Sequence, residues 1–177
     1  YNPITLLRLE AGFKSPTELA VYMNINDATI EQQEDGMYIK PLPSIKAALL
    51  EKSTSPDFDK KIANLDADYK AFQTWKRESS YGILISNPKW RTLTNKDGQV
   101  VFENPLTTWR FLSDIKLYTL CKALCLHLPS TSNFEKKSWS IKNPPKTLII
   151  ALYESGYSQD IIDSFTEAFD SYRTYCL

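Results

Sequence analysis

The chain has 177 residues, with 21 basic and 21 acidic side chains and one histidine, so its formal net charge is zero at neutral pH. That balance argues against a uniformly basic protein that coats nucleic acid, and the 42% hydrophobic and 12% aromatic content argues against wholesale disorder. There is no apolar run near the ~20 residues a membrane helix needs and no signal-peptide core in residues 1–15, and an opening at Tyr1 rather than Met points to a fragment or a processed product.

The first predicted element is a helix over 3–11. Asn2 can cap it by accepting from free backbone N–H groups, and Pro3 suits the first helical position, where no donor is needed. Ile4, Leu6, Leu7 and Leu9 are its apolar residues, and Gly12 ends it. Ser15 is the next cap, Pro16 the next first position, and Glu18 completes a Ser-x-x-Glu capping box. This second helix carries Leu19, Ala20 and Met23 and stops near Asn24. Asn26 caps a third, DATIEQQED, which Gly36 ends. A loop with Pro41 and Pro43 leads to a fourth, SIKAALLE.

The stretch ELAVYMNINDATIEQQEDG, residues 18–36, resembles the Cro/repressor-type (XRE-like) helix-turn-helix domain of phage and bacterial regulators. The carrying residues are Leu19, Ala20, Asn24, Ile25, Ile30, Glu34 and Gly36. Ala20 is small enough to let two helices cross closely. Asn24 stands where the family often has glycine, and asparagine tolerates the left-handed conformation better than most residues. Ile25 and Ile30 are expected to anchor the turn in the core. The resemblance implies that the third helix enters the major groove of double-stranded DNA, with its N-terminal residues on base edges. Carried over position by position, the first module presents Asp27, Ala28 and Gln32, with Gln33 beside them. Gln32 can pair with adenine. Asp27 and Glu31 oppose phosphate, while Lys14, Thr17 and Lys40 can support it.

Downstream, Ile62, Leu65, Tyr69, Phe72 and Trp75 recur every three or four residues, which predicts an amphipathic linking helix. RTLTNKDGQVVF then predicts a short β-hairpin turning at Asn95, Lys96, Asp97 and Gly98.

At 103 the opening phrase returns: ENPLTTWRFLSDIK against YNPITLLRLEAGFK. Asn104, Pro105, Thr107, Arg110 and Lys116 repeat Asn2, Pro3, Thr5, Arg8 and Lys14, 102 positions later. With one residue inserted, Ala20, Met23, Ile25, Ala48 and Leu49 align with Ala123, Leu126, Leu128, Ala151 and Leu152, and a further shift puts Phe134 opposite Ile30. His127 then replaces the turn asparagine. The expectation is a tandem duplicate whose third helix, STSNFEKKSW, offers Ser130, Thr131, Ser132, Asn133, Lys136 and Lys137. Lys116, Lys122, Lys142 and Lys146 flank it. Hydroxyls can donate to bases or phosphates, and lysines neutralise phosphate and release counterions. The last helix lines Ile161, Ile162, Phe165, Phe169 and Tyr172 along one face, for docking on the second module or for self-association.

Charge is distributed unevenly: residues 1–55 carry net −2, 56–103 net +1, 104–154 net +4 and 155–177 net −3. The second copy is thus the basic one. Cys121, Cys125 and Cys176 with the single His127 make no metal set, and the first two read as small core residues in a reducing cytoplasm. Five scattered glycines build no phosphate loop, so no enzyme, cofactor or metal is expected.

The expected fold is mainly α. Two small repressor-like modules, 1–55 and 104–177, are joined by a linking amphipathic helix plus hairpin over 56–103. The expected function is sequence-specific double-stranded DNA binding by a cytoplasmic transcriptional regulator reading a composite site. The other expectation is a non-catalytic assembly adaptor that uses the same fold to bind protein.

Overall fold

Asn2 starts the first helix with a local bond: its Oδ1 accepts from the N–H of Ile4 at 2.7 Å, and Pro3 takes the first helical place. The computed structural model of the chain describes residues 1–80, 92–137 and 140–176. Among these the protein is mainly helical and divides into two compact units, Tyr1–Lys76 and Arg77–Leu177.

In the first unit, α1 (Pro3–Glu10) ends where Gly12 adopts φ +98°, a conformation glycine takes without a Cβ penalty. Helix α2 (Pro16–Met23) is capped by Ser15, whose Oγ accepts from the Glu18 N–H at 3.2 Å. The Glu18 carboxylate reaches back to the N–H of Lys14 at 2.6 Å, one residue beyond the expected box partner. Asn24 turns the chain in the left-handed region at φ 55°, and Asn26 caps α3 (Asp27–Glu34). Helices α4 (Pro43–Lys52) and α5 (Phe58–Glu78) follow. Ile4, Leu7, Leu19, Ala20, Ile30, Ile45 and Leu49 form the core, closed by Phe58, Ile62, Leu65 and Tyr69 from one stripe of α5. Helices this short are marginal alone, so burial of this shared face holds them. Trp75, expected on the buried stripe, is 59% exposed.

In the second unit, β1 (Thr92–Thr94) pairs antiparallel with β2 (Val100–Phe102), Leu93 opposite Val101. Asn95 organises the connection: its Oδ1 accepts from the N–H groups of Asp97 and Gln99. Then come α6 (Pro105–Leu112), α7 (Leu117–Leu124), α8 (Leu128–Lys137), α9 (Lys146–Glu154) and α10 (Gln159–Cys176). Trp109 is buried with Tyr157 edge-on at 5.1 Å, and Phe134 lies 5.3 Å from Phe169. Ile162, Phe165 and Phe169 are therefore covered within their own unit.

The same bonds recur in both units. Asn2 Nδ2 donates to Gln33 O at 3.2 Å, and Asn104 Nδ2 to Phe134 O at 3.2 Å. The Arg8 guanidinium joins Phe13 O and Glu34, and the Arg110 guanidinium joins Ile115 O and Glu135. The N–H of Ile25 returns to Ala20 O, and that of Leu126 to Cys121 O. These bonds correct the register read from sequence. After α6 one residue is lost, not gained, so counterparts in α2 and α7 lie 101 positions apart. Ala20 corresponds to Cys121, Gln33 to Phe134, and Cys125 rather than His127 holds the left-handed turn, at φ 52°. Register in α4 and α9 returns to 103, with Ile45, Ala48 and Leu49 buried like Leu148, Ala151 and Leu152.

Candidate nucleic-acid interface

The start of a helix is the place where backbone N–H groups point outward and a positive dipole end favours anions. In the first unit that place at α3 is negative. Asp27 is exposed and its Oδ1 accepts from the Ala28 N–H at 2.9 Å, which stabilises the helix start. Ala28 and Glu31 are exposed beside it, and Gln32 is half-buried. Thr17 and Lys40 are exposed on α2 and on the connection to α4. Gln33 is fully buried, with its Oε1 accepting from the Leu42 N–H at 3.0 Å, so it ties α3 to the following loop and faces no duplex.

In the second unit α8 begins at Leu128, two residues before the serine expected to open it. Leu128, half-buried, and Pro129, exposed, thus occupy the places of Asp27 and Ala28, and hydrocarbon replaces carboxylate there. The signal was present in the sequence, because proline is favoured in the first turn of a helix. Ser130 and Asn133 are exposed and Ser132 is half-buried. The Ser130 hydroxyl lies 2.8 Å from His127 Nδ1. Thr131 is buried and its Oγ1 donates to His127 O at 2.9 Å, so it is a core residue like Ile30.

Lysines recur along α7, α8 and α9 and the segments next to them. Lys116 stands at the N-terminal cap position of α7, where no side chain caps the helix, and Lys146 is the first residue of α9, likewise without a side-chain cap. Both are exposed, as are Lys122 on α7, Lys136 on α8 and Lys142 before α9. Lys137 closes α8, and its side chain and Trp139 lie outside the described residues. Arg110 is held by Glu135 at 2.8 and 2.9 Å and is therefore structural. Asp160, Asp163, Glu167 and Asp170 are exposed along one stripe of α10, and Asp114 is exposed two residues before Lys116. Overall neutrality thus hides a lysine-rich stretch, net +4 over residues 104–154, that contains α7, α8 and α9.

The remaining chemistry is sparse. Among the described residues no group of histidine, cysteine and carboxylate side chains could hold a metal ion, and no helix is long and apolar enough to cross a membrane. Burial pushes the Cys121 thiol up to about 11, so it stays protonated at neutral pH. Comparison of the chain with protein-family models, with curated proteins and with solved structures gives no match.

Proposed function

We propose that this protein binds double-stranded DNA sequence-specifically, as a cytoplasmic transcriptional regulator of the repressor-like kind without cofactor or catalysis. The second unit makes the principal contact. One observation carries this reading: α8 exposes Ser130, Asn133 and Lys136 and no carboxylate, and the segments on either side of it in the chain expose Lys116, Lys122, Lys142 and Lys146. Lysines supply the salt-dependent phosphate attraction, and hydroxyl and amide groups read base edges without repelling the backbone. The first unit, in this reading, is a second helix-turn-helix module of a tandem pair and adds contacts to a composite site through Gln32, Thr17 and Lys40.

Selection from a random-sequence duplex pool at two salt concentrations tests this. Enrichment of one motif, with retention falling steeply as salt rises, is the expected result. A bipartite motif assigns base reading to both units. No retention at low salt overturns it.

A second reading has its own support. The first unit exposes Asp27 and Glu31 on α3 and the apolar Val21, Tyr22 and Ile25 at the end of α2. That combination suits protein contact better than DNA contact, and would make the chain an assembly adaptor. Retention of a partner protein with no motif in the duplex pool is its signature.

A further inference from the structure

Ile25 and Leu126 hold the same place in the two units. Each follows a residue in the left-handed conformation, and each N–H returns to the carbonyl five residues earlier. Their burial differs: Leu126 is 2% exposed and Ile25 is 37% exposed.

The ends of the two helices they follow differ in the same sense. At the C-terminus of α7, Arg77 donates from Nε to Leu124 O at 2.8 Å, from one terminal nitrogen to Cys125 O at 3.0 Å, and from the other to Glu154 Oε2 at 3.0 Å. Ser80 Oγ donates to Ala123 O at 2.9 Å. A helix C-terminus is the negative end of its dipole, and here it combines with a carboxylate to seat one guanidinium through three of its donors.

The counterparts in the first unit are Tyr22, Met23 and Asn24 at the end of α2, with Glu51 in the place of Glu154. Tyr22, Asn24 and Glu51 are exposed. Glu51 Oε1 accepts from the Tyr22 hydroxyl at 2.5 Å, and Lys52 Nζ lies 6.0 Å from the Tyr22 ring centre. Val21, 75% exposed, extends the apolar margin. The first unit therefore has the acceptor geometry and the carboxylate of the filled seat, with apolar surface beside it.

We infer that the end of α2, bounded by Tyr22, Asn24, Ile25 and Glu51, is a docking site for the last turn of a helix on a partner protein. That turn carries an arginine and, three residues later, a hydroxyl side chain, as Arg77 and Ser80 do. Charge complementarity selects the arginine, since the carboxylate and the α2 dipole end both favour a cation. The chain's own C-terminal helix does not meet this description, because Arg173 is followed three residues on by Cys176. Docking here is independent of any DNA contact.

The test titrates a stapled helical peptide of residues 68–80, DYKAFQTWKRESS, into the full chain while backbone amide resonances are followed. Stapling matters because so short a helix is marginal alone. Saturable shifts at Tyr22, Asn24, Ile25 and Glu51 are expected, absent with the Arg77→Ala peptide and weakened roughly tenfold or more in the Glu51→Gln protein. No shift up to about 1 mM peptide, the weak limit of specific recognition, overturns the site. So do shifts that the Arg77→Ala peptide reproduces. Shifts confined to Leu124, Cys125, Leu126 and Glu154 also overturn it, because the peptide would then only exchange with the chain's own Arg77.

Discussion

Arg110 and Glu135 form a two-pronged ion pair at 2.8 and 2.9 Å, and the corresponding residues of the first unit, Arg8 and Glu34, pair through Arg8 Nε alone. Each side chain of both pairs is 12% exposed or less. In each unit the guanidinium also donates to a carbonyl just past the first helix of the set, Phe13 O or Ile115 O. One residue thus fixes the turn and ties α1 to α3, or α6 to α8.

Removing one partner of such a pair leaves a buried charge without compensation, which costs about 3–5 kcal/mol. Glu135→Ala should lower the unfolding midpoint of the second unit sharply, read by the fluorescence of buried Trp109. The double variant Arg110→Met, Glu135→Leu should recover much of the loss, because the desolvation penalty disappears with both charges. Equal destabilisation by single and double variants would show that packing, not charge, dominates there.

Asn24 turns α2 into α3 with φ 55°. An ordinary side chain in that conformation costs about 1–2 kcal/mol, which asparagine largely avoids and glycine avoids altogether. Asn24→Ala should therefore destabilise the first unit, and Asn24→Gly should be neutral or mildly stabilising. Chemical denaturation of the two variants side by side checks the ordering.

Three thiols should behave in two ways. Cys176 is exposed, whereas Cys121 and Cys125 are buried. Native alkylation near pH 8 should label Cys176 alone, with the others labelled only after denaturation. Burial holds the Cys121 thiol at about 11 against an ordinary 9.0. The unfolded chain therefore releases this proton first as pH rises, and stability should fall between about pH 9 and pH 11. Replacing Cys121 with Ser leaves no such thiol and should flatten that decline.

Lys136→Ala with Lys137→Ala should weaken DNA binding and reduce the slope of affinity against salt by about one to two. Asp27→Asn with Glu31→Gln removes repulsion from the start of α3 and should strengthen binding if the first unit touches DNA. Unchanged affinity in the second pair would restrict the duplex to the second unit.

Much of the local structure was legible in the sequence. Asn2, Ser15, Asn26 and Asn104 cap helices through bonds to residues two or three positions away, and Pro3, Pro16 and Pro105 fix φ where a helix starts. Such effects act within a single turn, so they survive any packing. The periodic stripe of Ile62, Leu65 and Tyr69, and that of Ile162, Phe165 and Phe169, likewise named their buried faces. The likeness of 104 onward to the opening phrase rests on the same kind of residue.

Packing decided the rest. Gln33 and Thr131 look like surface residues in sequence, but the rotation of α3 and α8 about their axes turns both inward, where the Gln33 Oε1 accepts from Leu42 N–H and the Thr131 hydroxyl donates to His127 O. Register between the two units followed from which residue turns left-handed and which carbonyl accepts the next N–H, and the resemblance of Ala20 to Ala123 gave no hint of it. Ile25 and Leu126 are both apolar and follow the same turn, yet one is exposed and the other buried. Side-chain type sets what a residue can do at such a place. Whether a distant segment comes to cover it is a property of the folded chain, because the contact spans residues that local chemistry never brings together.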